Sequence, residues 1–110
     1  MTTPLAPPPP LSVDLIRTDD IAVALCSGEL DATSAHDLEE SLRDALDHGV
    51  RDIVVNLRDV TFVDSAGLTA LLRAAESARW RYGHLFVTRP SDQARRLIEL
   101  TDSRHHLRLI

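Results

Sequence analysis

Ile53-Val54-Val55-Asn56-Leu57 is a short apolar run, rich in β-branched side chains and too short for a helix. It reads as a strand buried on both faces, which calls for a parallel sheet with helices packed on it. Arg58-Asp59-Val60 follows, then Thr61-Phe62-Val63-Asp64-Ser65-Ala66-Gly67-Leu68. From about Ala66 to Tyr82 the period changes. Leu68, Leu71, Leu72, Ala75, Ala78 and Tyr82 recur at helical spacing, and Gly83 ends the run. Thr61–Leu68 is thus read as a loop carrying the chain from the end of a buried strand into a helix. Loops at that edge of a parallel α/β sheet are its usual ligand-facing edge.

Upstream, Leu11–Arg17 alternates apolar and polar residues, and Ile21–Cys26 is apolar. Thr18-Asp19-Asp20 between them is short and polar, so the two strands form a hairpin. Ala35, Leu38, Leu42, Ala45 and Leu46 then mark a helix. Thr33 or Ser34 caps it, with Asp37 three residues after Ser34, and Gly49 closes it. Glu39 and Arg43 form an i,i+4 pair on its wet side. Downstream, His84–Thr88 is a strand, and Pro90-Ser91 opens a helix with Ala94, Leu97 and Ile98 facing inward. Leu107–Ile110 is a last short strand. The order is β-β-α-β-α-β-α-β. The expected architecture is α/β: a mixed four- to five-stranded sheet with a parallel core, an N-terminal β-hairpin and packed helices.

A length of 110 residues allows one domain. Residues 1–10 are expected to be a flexible Pro-rich tail and 11–110 the folded domain. Pro7–Pro10 favour an extended polyproline conformation, and a loose extension is preferred over a ligand for a proline-recognition domain. Formal net charge is -5, and all 12 basic residues are arginine. A nucleic-acid binder shows a basic patch, and Arg79–Arg81 and Arg95–Arg96 are short and separated. Direct contact with nucleic acid or an anionic membrane is not expected. No apolar run nears the roughly 20 residues of a membrane helix, and the N-terminus lacks the basic and apolar regions of a signal peptide. A cytoplasmic location is the default.

The sequence holds no G-x-S-x-G elbow, P-loop or zinc spacing. His105 and His106 are adjacent, so in a strand they face opposite ways. Cys26 lies in an apolar strand and reads as a small core residue. Trp80 and Tyr82 pack at the sheet edge or lie on the surface. Two glycine-containing loops stand out, Ser27–Asp31 and Thr61–Leu68. Ser65 begins the second helix. One reading makes it the N-cap, its oxygen accepting a backbone N–H. The other makes it a phosphate acceptor at the positive end of the helix dipole. Asp64, with Asp59 and Asp31 nearby, would repel that phosphate, so the hydroxyl could act as a switch. Those three carboxylates could also hold Mg²⁺ in a small enzyme, but nothing pairs a nucleophile with a base.

Gly28-Glu29-Leu30-Asp31 and Val54-Val55-Asn56-Leu57…Phe62-Val63-Asp64-Ser65-Ala66-Gly67-Leu68 together resemble the STAS domain family, and within it the bacterial anti-sigma factor antagonists. The resemblance runs over roughly residues 11 to 110 and implies the STAS fold. It implies a non-enzyme with no cofactor, whose unphosphorylated form binds an anti-sigma factor that is also a serine kinase. Binding releases the sigma factor. Phosphorylation at Ser65, with the kinase's ATP as donor, blocks binding, and a serine phosphatase resets it. The resemblance places Asp31 and Asn56 near the serine. It assigns partner binding to Asp31, Asn56, Asp64, Ser65, Ala66, Gly67 and Leu68. Ala66 departs from the common pattern, where a second Ser or Thr is frequent. An alternative within the resemblance is a STAS accessory subunit or scaffold of a transport or stress-signalling complex.

Overall fold

Five strands, in chain order across the sheet, carry three helices on one face. The computed structural model describes residues 10–110, so the expected tail lies almost wholly outside the described residues. The strands are β1 (Ser12–Arg17), β2 (Ile21–Leu30), β3 (Asp52–Val63), β4 (Leu85–Thr88) and β5 (Arg108–Leu109). The helices are α1 (Ala35–Asp47), α2 (Ser65–Trp80) and α3 (Asp92–Leu100), and a 3₁₀ turn at Ser103–His105 precedes β5. β1 and β2 pair antiparallel as the expected hairpin, and β2 through β5 are parallel neighbours. Each parallel step advances the same way along the sheet. Crossovers of one hand therefore place α1, α2 and α3 on the same side.

The burial pattern agrees, and it corrects one expectation. In-register residues share a face. The row Ala22, Ile53 and Leu85 is buried, as is the row Ala24, Val55 and Val87. The alternate row of Val23, Val54 and Phe86 is only half-buried. β3 is therefore buried on one face, not two. Its apolar residues at alternate positions disguised the period.

The core gathers Leu30, Leu38, Leu42, Leu46, Ile53, Leu57, Leu71 and Leu85 between sheet and helices. Gly49 sits at φ +100° after α1, where the Gly49 and Val50 amides donate back to the Leu46 and Ala45 carbonyls. This is the paired helix-end motif that favours glycine. α2 ends on the same bonds, from Tyr82 to Arg79 and from Gly83 to Ala78. Here the left-handed position belongs to Tyr82, at φ 62°, and not to Gly83. Gly83 is required for another reason: a Cβ there would lie 2.6 Å from the Arg51 carbonyl carbon.

Two local expectations change. Ser34 makes no side-chain cap bond to α1. Its Oγ accepts from the Asp31 amide at 3.1 Å and donates to the Glu29 carbonyl at 2.9 Å, which ties down the β2–α1 turn. Glu39 is not on the wet side but buried, 7% exposed, between α1 and α2. His105 and His106 are exposed at the 3₁₀ turn, just ahead of the last strand.

Candidate functional site

Both glycine-containing segments are longer strands than expected, and this builds the site. β2 continues through Gly28 and Glu29 to Leu30, and β3 continues to Val63, paired with Leu30. The chain then enters α1 through Asp31 and α2 through Asp64. Two helix N-termini therefore lie side by side at the carboxyl edge of the sheet.

Leu30 is the hinge of this arrangement. Its carbonyl accepts from the Asp64 amide at 3.1 Å. Its side chain lies under Gly67, where an added Cβ would fall 2.7 Å from Leu30 Cγ. Only glycine lets α2 start this close to the end of β2.

Asp64, not Ser65, caps α2. Its backbone is extended, and its Oδ1 accepts from the Gly67 amide at 2.9 Å. Its carbonyl accepts from the Leu68 amide at 2.9 Å. Ser65 is the first helical residue and is exposed. Its carbonyl accepts from the Thr69 hydroxyl at 2.8 Å. Among the described residues its own hydroxyl has no hydrogen-bond partner, and the Ser65 and Ala66 amides have none either. The result is a free hydroxyl at the positive end of a 16-residue helix, beside two open N–H groups.

Asp31 serves the neighbouring turn. Its Oδ1 accepts from the Thr33 hydroxyl at 2.7 Å and the Thr33 amide at 3.0 Å. Its carbonyl accepts from the Ala35 amide at 2.8 Å. The Thr33 hydroxyl, followed by the Thr33 amide, holds the Asp31 carboxyl below its ordinary value of 3.8.

The structure separates some residues that the sequence grouped. Asn56 opposes Leu25 and Val63 opposes Leu30. The five intervening β2 steps span about 16 Å at the rise of a strand. Asn56 therefore does not reach the serine. Its Oδ1 accepts from the Arg58 amide at 2.9 Å, next to the register shift between Leu25 and Ser27. Asp59 opposes Ser27, also short of the site. Among the described residues no group of three His, Cys, Asp or Glu side chains could hold a metal ion. Gly67 and Leu68 are buried, so they shape the surface from beneath and do not form it.

Sequence reasoning missed two features. The Gln93 side chain bonds the free edge of β3, its Nε2 donating to the Val63 carbonyl at 2.6 Å and its Oε1 accepting from the Val63 amide at 3.0 Å. A groove of about 260 Å³ runs between α1 and α2 beside Ser65, with Ala32, Ala35, Ala66 and Ala70 in its lining. Glu39 also lines it, and its buried Oε1 has no hydrogen-bond partner. Arg43 and Arg73 stand at 3.5 and 3.9 Å from the Glu39 carboxylate. The signal was the run of alanines facing each other across the two helices.

The fold is thus a one-sided mixed sheet that presents an unbonded serine at a helix mouth on its carboxyl edge. The STAS domain model matches residues 12–109. The anti-sigma-B factor antagonist of Staphylococcus aureus (strain NCTC 8325 / PS 47) is 32% identical over 91 residues, covering 83% of this chain and 84% of the relative. Its Staphylococcus epidermidis counterpart is 30% identical over the same coverage. A crystal structure of an anti-sigma factor antagonist from Mycobacterium paratuberculosis superposes with TM-score 0.79 at 26% identity, covering 90% of this chain and 84% of that one. The anti-sigma factor antagonist SpoIIAA in its unphosphorylated form gives 0.80 at 20% identity, covering 90% and 88%. This chain belongs to the STAS domain family. No helix among the described residues is long and apolar enough to cross a membrane.

Proposed function

We propose that this protein is an anti-sigma factor antagonist switched by phosphorylation of Ser65. In its unmodified form it docks on an anti-sigma factor that is also a serine kinase, and the sigma factor is released. The kinase transfers the γ-phosphoryl group of ATP to Ser65 Oγ, leaving ADP, and a phosphatase hydrolyses the ester. The chain contributes no catalysis of its own and works in the cytoplasm, where the sigma factor is.

The observation that carries this reading is the exposed Ser65 hydroxyl, relieved of capping by Asp64. An acceptor engaged in a cap would have to break the helix start to react. This one is free to enter a kinase. Kinship with proteins named anti-sigma-B factor antagonists supports the same reading.

The docking surface runs from Asp31 across Asp64, Ser65 and Ala66 into the α1–α2 groove, with Gly67 and Leu68 as its support. A phosphate on Ser65 puts about two negative charges beside Asp64, in the middle of that surface. An uncompensated interfacial charge opposes binding by several kcal/mol. About 4 kcal/mol is roughly a thousandfold in affinity.

The test uses the cognate kinase, ATP and mass spectrometry, with a binding assay beside it. Ser65 should carry the phosphate and Ser65→Ala should carry none while still binding. Ser65→Glu should bind much more weakly. Full modification of Ser65→Ala, or phosphorylated protein that binds as tightly as the unmodified form, would refute the switch.

A further inference from the structure

Among the described residues, one buried side-chain polar atom lacks a hydrogen-bond partner: Oε1 of Glu39. Ser103, the other buried polar residue, shares a hydrogen bond with the Thr101 hydroxyl at 2.7 Å. Around Glu39 on α1, Ala35, Leu38 and Leu42 are buried and apolar. An apolar residue at 39 would pack there with no polar atom to satisfy. A buried carboxylate oxygen with an unmade bond lowers the stability of the free chain. Departures of this kind from the packing rules gather at functional sites.

We infer that Glu39 is a binding residue: its Oε1 receives a neutral hydrogen-bond donor, a carboxamide or hydroxyl side chain that the anti-sigma partner inserts into the α1–α2 groove. This rests on the proposed function and adds a specific contact to it. The groove sets the size of the guest. Its volume of about 260 Å³ lies below the roughly 300–1,000 Å³ of small-molecule pockets, so it suits one side chain. Its alanine walls offer no donor. The Thr69 hydroxyl, also in the lining, is engaged by the Ser65 carbonyl.

The charges set the kind of guest. Two guanidinium groups stand near the carboxylate, Arg43 at 3.5 Å from Oε2 and Arg73 at 3.9 Å from Oε1. Direct charge-assisted bonds are about 2.7–2.9 Å long. Neither arginine makes one here, and both side chains are at least half exposed. They neutralise Glu39 without satisfying it. The rim also carries His36, paired with Glu40 at 3.5 Å, and both of these are largely exposed to screening water. Two arginines against one glutamate leave a surplus of one positive charge, which a partner cation would increase. A partner anion would confront the buried Oε1 itself. A neutral donor satisfies Oε1 and adds no charge. Its own oxygen can accept from Arg73, whose N–H groups make no hydrogen bond among the described residues.

The test measures affinity for the anti-sigma kinase and urea unfolding, on wild type, Glu39→Gln and Glu39→Leu. Leucine removes the acceptor and should weaken binding by about ten- to a hundredfold. Glutamine keeps an acceptor oxygen and should lose only severalfold. The urea midpoint of Glu39→Leu should equal or exceed that of wild type, since the unmade bond is gone. A fall in the midpoint of both variants would make Glu39 a structural clasp between α1 and α2, and would overturn the inference on the isolated chain. Equal losses of affinity in the two variants would mean a cationic guest, and tighter binding in both an anionic one; either overturns the neutral donor. Unchanged affinity in Glu39→Leu overturns this contact while leaving the proposed function intact. A wild type that does not bind the kinase overturns both.

Discussion

In the proposed reading, Asp64 and Ser65 divide two tasks that one residue could not perform together. A cap must keep its oxygen on a backbone amide, and a phosphate acceptor must keep its oxygen free. The two substitutions should separate cleanly. Asp64→Ala loses the bond to the Gly67 amide and should cost about 1 kcal/mol in urea unfolding, the ordinary value of a lost cap. Ser65→Ala loses no hydrogen bond of its side chain and should unfold within about 0.5 kcal/mol of wild type. A reversed pattern would mean that Ser65 is the cap after all. Asp31 gives a pH signature. Its folded carboxyl titrates below its ordinary value, chiefly because the Thr33 hydroxyl donates to the ionised form. A depressed carboxylate contributes stability that is complete above the unfolded value and is lost as pH falls through the folded one. Acid titration of the melting temperature should thus show a decline below about pH 4 that is shallower in Asp31→Asn. Cys26 stands at the other extreme: burial pushes its thiol up to about 12. A thiol reagent at pH 8 should leave it unmodified in the native protein and react once urea unfolds the chain.

At the scale of elements, glycine positions carry the geometry. Gly67→Ala forces a Cβ onto Leu30, so the start of α2 must retreat from the end of β2. The expected loss is about 1–3 kcal/mol in denaturant unfolding, with weaker partner binding from a displaced Ser65. Tyr82 argues the converse. It is exposed, with φ 62°, at a helix-end position that favours glycine. Tyr82→Gly should therefore raise stability by roughly 0.5–1 kcal/mol, and a loss would show that the ring contributes contacts of its own. These elements also show what the sequence could and could not disclose. The β3 run, the period of α2 and the hairpin were legible because each is a dense local pattern. The full length of β3 was not, because exposed Arg58 and Asp59 interrupt its apolar sequence while the ladder to β2 continues. That hidden extension is why Asn56, close to Ser65 in the motif, is remote in space. The cap was ambiguous by one position, since Asp64 and Ser65 are both good cap formers and only the backbone distinguishes them. The one-sided sheet was hidden because Val54 and Phe86 are apolar on the open face.

Across the whole molecule, the proposed switch must act without unfolding the domain. The fold rests on leucine packing between one sheet face and three helices, and Ser65 belongs to none of it. A phosphate on Ser65 meets two opposed local fields. The open Ser65 and Ala66 amides and the helix dipole favour it, by about 0.3–1 kcal/mol for an exposed charge. The Asp64 carboxylate disfavours it by a similar order, tempered because that carboxylate already accepts from Gly67. These contributions nearly cancel in the free protein, so phosphorylated and unmodified chains should melt within a few degrees of each other. In the complex the cancellation fails, since docking removes the water that solvates the dianion and leaves Asp64 beside it. The same modification should therefore lower affinity for the anti-sigma partner by about a thousandfold. Paired measurements decide between this account and a refolding switch: thermal unfolding of both forms, and titration of both against the partner. A large drop in melting temperature accompanying the lost affinity would mean that the charge disrupts the α2 start. An unchanged melt with lost affinity places the effect at the interface.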